Sequence, residues 1–255
     1  MLSLPLIRFT ATAISRDRIV QLMLVLMTLG VMAAMFLGAA SVTEQKAFTV
    51  ASAATILRII AVLGLVVFIS FFLRRSFDSR EIDYLLATPL TRTKLLASFA
   101  AAFMGLALVL TAAISVCVGV LAGKFSAGWL LWTSSAAVEL MVTAMIALFF
   151  ACVLRSATVA TLCSLGYYTL ARMMGAMIGI VEAKVIDGGP FFDTMNLFVQ
   201  LLAKVTPRFD LMSQSAWLVY NDATGLAYWI LPAQLVIFVF LFFACAVFDL
   251  RRVQF

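Results

Sequence analysis

The chain has 255 residues, of which 65% are hydrophobic and 12% charged, with a formal net charge of +6. Soluble domains run nearer half apolar and a quarter charged, so lipid is the solvent that fits most of this composition. Histidine is absent, which removes the commonest metal ligand and the commonest general base. No catalytic residue, metal site or bound cofactor is expected on this chain. The four cysteines, Cys117, Cys152, Cys163 and Cys245, are scattered through apolar runs and are expected to be buried small hydrophobes without disulfides. With no linker-like tract, residues 1–255 are expected to form one membrane domain.

In chain order, residues 1–18 place Leu4, Ile7, Ala11 and Ile14 at helical spacing, with Arg8 and Arg16 elsewhere on the wheel. That pattern predicts a short amphipathic helix lying on the membrane surface. Six apolar runs follow, near 19–40, 51–73, 95–122, 129–154, 157–181 and 226–248. Each reaches the ~20 residues a helix needs to cross a bilayer. Unpaired backbone is too costly in hydrocarbon, so an all-α protein with six transmembrane helices is predicted. The first run is too long for a signal-peptide core, and is expected to be retained.

Orientation follows from Arg and Lys. Arg8, Arg16, Arg18, Arg74, Arg75, Arg80, Arg92, Lys94, Arg155, Arg251 and Arg252 fall on one side, and Lys46 and Lys124 on the two short connections opposite. The first side is therefore expected to be cytoplasmic, with both termini inside. Trp129, Trp132, Tyr228 and Trp229 sit at outer span ends, as an interfacial aromatic belt requires. Because the basic residues cluster at span ends, orientation explains the positive charge and nucleic acid is not an expected partner.

Between the second and third runs, residues 72–94 form a charged, helix-forming island. Asp78 is positioned to cap a helix with Glu81 three residues on. Ile82, Leu85 and Leu86 share one face, Pro89 stops the helix, and Thr91 is placed to cap the next. The flanking arginines need no explanation beyond topology. A capped helix with an apolar face and three acids asks for something to hold.

Three ionisable residues interrupt the spans: Arg58, Glu139 and Arg172. Each costs about 2.5–3.5 kcal/mol or more at mid-helix facing lipid, so each needs a partner. Glu139 lies about ten residues, roughly 15 Å, from the outer end of its run, and Arg172 lies at nearly the same level. Glu139 is expected to pair with Arg172, or to be shared between Arg172 and Arg58. The pair either fixes helix register or lines a polar cavity.

Small residues recur every fourth position at Gly30, Ala34 and Gly38 and again at Ala171, Gly175 and Gly179. Such ridges suit close helix contacts, and a subunit interface is expected there. In the outer segment 182–225, Asp193, Asn196, Gln200 and Lys204 trace one helical face, and Phe191, Met195, Phe198, Leu202 and Val205 the other. Pro207 ends that helix, and Phe209–Tyr220 is a second, mostly apolar piece. Interfacial or re-entrant helices buried against protein are expected.

The run Glu81-x3-Leu85-Leu86-Ala87-Thr88-Pro89-Leu90-Thr91-Arg92 resembles the signature between the second and third spans of ABC-2-type transporter permeases. The six spans, inside termini, interfacial N-terminal helix and length extend the resemblance to nearly the whole chain. It departs where the third helix begins, with Ala97-Ser98-Phe99 in place of a frequent Gly-Lys. The resemblance implies that residues 78–92 are a coupling helix, with Asp78, Glu81, Ile82, Leu85, Leu86, Thr88, Pro89 and Arg92 touching a separate ATPase. It implies an exporter subunit of a bacterial inner membrane, working by alternating access with two ATPase copies and a second permease copy or paralogue. It also implies that the outer segment is a re-entrant pair near the exit. No G-x-x-x-x-G-K-[ST] occurs, so ATP and Mg are expected on the partner chain. The alternatives are a membrane assembly component of cytochrome-maturation type and a proton-coupled secondary transporter using Glu139.

Overall fold

A computed structural model describes residues 12–13, 17–41, 44–79, 91–182, 190–221 and 228–252. Among these every regular element is helical: α1 Arg18–Ala40, α2 Gln45–Asp78, α3 Arg92–Ala122, α4 Ala127–Val153, α5 Ala157–Glu182, α6 Pro190–Val205, a 3-10 turn Phe209–Leu211, α7 Ser215–Tyr220 and α8 Ile230–Arg252. Five of them, α1 to α4 and α8, are long and apolar enough to cross a membrane. This makes the chain an all-helical protein of multi-pass membrane character. α5 is equally long but less apolar, because Tyr167, Tyr168, Thr169 and Arg172 interrupt its run.

Local chemistry sets the helix ends. Asp17 accepts a hydrogen bond from the Ile19 N–H at 2.8 Å, placing an anion at the start of α1. Ser126 does the same for α4 by accepting from the Trp129 N–H. α3 closes on Gly123 at φ 68, a left-handed position that glycine adopts without a Cβ penalty.

The second run is longer than its apolar content indicates. α2 continues through Arg74 and Arg75 to Asp78, and Asp78 binds Arg74 one turn back at 2.7 Å. Asp78 therefore ends a helix, and the helix it was expected to cap lies outside the described residues. No proline or glycine stands between Leu73 and Asp78, and the i,i+4 pair supports the final turn. Glu81, Ile82, Leu85, Leu86, Thr88 and Pro89 lie outside the described residues, as does most of the 1–18 segment. Arg92 opens α3.

α4 is the central helix, in contact with α2, α3, α5 and α8. α1 lies along α2, and its contact is the small-residue ridge. A Cβ on Gly30 would sit 2.9 Å from Ile60 Cδ1, one on Gly38 would run into Thr49, and Ala34 is fully buried. Gly30, Ala34 and Gly38 thus pack inside this chain and are not open to a second subunit. Between apolar helices in lipid, close backbone approach and dispersion drive association, and the ridge serves that need within one molecule. Below it, Phe68, Phe72, Phe99 and Phe103 interlock α2 with α3, and the Phe72 and Phe103 rings meet edge-on at 5.9 Å.

The cysteines also differ from expectation. Cys117 and Cys245 are exposed, and Cys152 and Cys163 are half-buried. An apolar run in a membrane helix has a lipid-facing side as well as a packed one, so hydrophobic context alone does not place a residue inside.

Candidate functional site

The chain between α6 and α7 turns back into the helix bundle. Pro207 follows α6 and, having no N–H, cannot extend it. Thr206 closes the helix by donating its N–H and its hydroxyl to the Leu202 carbonyl, each at 2.9 Å. Thr206, Phe209, Met212 and Ser213 are then buried, with Phe209 fully so. Ser213 takes a left-handed conformation at φ 51, rare for a residue with a Cβ. Irregular backbone at such a place needs partners for its N–H and C=O groups.

Those partners come from the spans. The Ser213 N–H donates to Ser135 Oγ at 3.0 Å, its hydroxyl donates to Glu139 Oε2 at 2.7 Å, and its carbonyl accepts from Arg58 Nη1 at 2.9 Å. Every polar group of this residue is thus held by a side chain of α2 or α4. Arg172 Nη1 donates to the carbonyls of Phe209 and Met212, the latter at 2.8 Å. Tyr168 donates its hydroxyl to Glu139 Oε1 at 2.6 Å, and its ring lies 5.5 Å from that of Phe209.

Arg58, Glu139 and Arg172 are therefore brought together, around a loop and not as an isolated ion pair. Arg172 Nη1 lies 3.8 Å from Glu139 Oε1, beyond hydrogen-bond range, while Arg58 reaches Glu139 only through Ser213. Glu139 has no solvent exposure; its carboxylate is held by two hydroxyl donors and the nearby guanidinium. Beside it, Arg208 grips Asp210 in a forked pair, Nε to Oδ1 and Nη2 to Oδ2, both at 2.9 Å. Gly175 on α5 makes room for this pair, since a Cβ there would lie 2.6 Å from Asp210 Oδ2. Ala171 is buried, and only Gly179 of that second ridge faces open space.

Ser135, Tyr168, Phe209 and Ser213 were not singled out in the sequence. Two had a signal. Ser135 lies one turn before Glu139 and Tyr168 one turn before Arg172, so each charge has a polar neighbour on its own helix face. On α6, Val199 packs inward while Met195, Phe198 and Val205, predicted to face protein, are exposed. The turn that follows α6, more than the helix itself, is what the bundle holds.

Among the described residues no cluster of His, Cys, Asp or Glu could hold a metal ion. The chain matches no protein-family model, and a search of curated proteins finds no match to it.

Proposed function

We propose that this chain is the permease subunit of an exporter powered by a separate ATPase, with six spans and both termini cytoplasmic. α5 would be the span that tolerates charge because it faces the clamped turn. The observation that carries the reading is α2. This unbroken helix of 34 residues, about 51 Å long at 1.5 Å per residue, holds the turn through Arg58 and runs directly into the charged segment beginning at Asp78. A rigid rod joining a partner-facing segment at its end to a buried turn held near its middle can transmit an ATPase stroke into the membrane. On this reading Glu81, Leu85 and Leu86 meet the ATPase, and the turn from Thr206 to Ser213 moves with α2 near the exit.

The proton-coupled alternative gives Glu139 a different task, that of taking up and releasing a proton during transport. Its complete burial and its two hydroxyl donors favour an anchoring role. The test is purification from native membranes with a tag on this chain. An ATPase should co-purify from the wild type and be lost in Glu81→Lys and Leu85→Asp, with the permease itself still recovered. Transport by the isolated chain in vesicles without ATP would overturn the proposal.

A further inference from the structure

At the same end of the bundle as the clamped turn, the two short connections bring their lysines to one pocket. Lys46 opens α2 and Lys124 follows α3, and both line a cavity of about 320 Å³ with Trp129 of α4 and Asn221 at the end of α7. Val50 and Leu218 form part of its apolar wall, and among the described residues no carboxylate lines it. No described carboxylate forms an ion pair with either lysine. Glu44, just before α2, is outside the lining. The Lys46 ammonium reaches across to Gly123, where a Cβ would lie 3.4 Å from Nζ. Lys46 is thus drawn over the end of α3 into the pocket.

Two cations at the rim, with no described carboxylate between them, and an apolar wall below are complementary to one kind of ligand, an anionic group carried on an apolar body. The cavity lies in the lower range of small-ligand sites, large enough for a head group but not for a whole lipid. Its position at the helix ends, beside Trp129, is where a bilayer places its phosphates.

We infer that this pocket binds the phosphate head group of an anionic phospholipid through Lys46 and Lys124, with the first part of the acyl region against Val50 and Leu218. The site stands apart from the proposed ATPase coupling and requires only that the protein sits in a bilayer.

The experiment is native mass spectrometry of protein released from phosphatidylcholine nanodiscs doped with phosphatidylglycerol. The wild type should retain phosphatidylglycerol on the order of tenfold better than Lys46→Gln/Lys124→Gln, as expected for losing two cations at a membrane surface. Lys46→Arg/Lys124→Arg should keep the lipid. Ala122→Leu, which crowds the apolar wall while keeping both lysines, should weaken retention too. Inorganic phosphate should compete for the wild-type site. Equal phosphatidylglycerol retention by the wild type and the Gln variant at matched thermal stability would overturn the assignment. Phosphate binding without selective lipid retention would also overturn it, by assigning the site to a soluble anion.

Discussion

α2 carries charge at its last turn and again near its middle, and the two places behave oppositely. Near its last turn Arg74 and Asp78 form an ion pair whose side chains are 31% and 59% exposed. Solvent screens such a pair, and its net worth is on the order of a few tenths of a kcal/mol. Near its middle Arg58 enters a cluster in which Glu139 has no exposure and the buried loop depends on side chains for its hydrogen bonds. There each group is worth little beyond what its desolvation costs while all partners are present, and the loss of one leaves the others stranded. The same residue types thus make a replaceable surface contact at the last turn and a mutually dependent clamp near the middle of one helix.

Substitutions can break this contrast, and their expected effects fall in a clear order. Glu139→Ala leaves Ser213 and Tyr168 without their shared acceptor and Arg172 without the carboxylate 3.8 Å away. It should lower unfolding stability by about 3–5 kcal/mol in detergent thermal or denaturant melts. Tyr168→Phe removes one hydrogen bond to a buried carboxylate and should cost about 1.5–3 kcal/mol in the same assay. Gly128→Ala tests the neighbouring α4–α7 contact, where a Cβ would collide with the Trp217 carbonyl. Its expected cost is about 1–3 kcal/mol, visible as faster proteolysis near residues 217–221 as well as in the melt. Asp78→Ala should change stability by about 0.5 kcal/mol or less. A large loss there would dissolve the distinction between the two places.

The spans were legible because lipid imposes a length and a composition together, and α1, α3 and α4 begin and end within a few residues of their apolar runs. Arg58, Glu139 and Arg172 were legible as burdens that needed partners. Their principal partners were not, because Arg58 and Arg172 bond backbone carbonyls of Phe209, Met212 and Ser213, and a carbonyl has no signature in sequence. The left-handed Ser213 is hidden for the same reason, since no glycine or asparagine announces it. The ridge at Gly30, Ala34 and Gly38 was legible as a close helix contact but not as an internal one. Spacing records how near a neighbour comes, and says nothing of which chain it belongs to. The Arg74–Asp78 pair was not foreseen because cap residues and the members of an i,i+4 pair use the same side chains.

At the centre of the clamp, Glu139 and Ser213 hold one another across the buried turn. A double-mutant cycle of Glu139→Gln and Ser213→Ala, followed by unfolding free energy, tests it most directly. A coupling of about 1.5–3 kcal/mol is expected, the double variant being little worse than either single one. Strictly additive losses would contradict it.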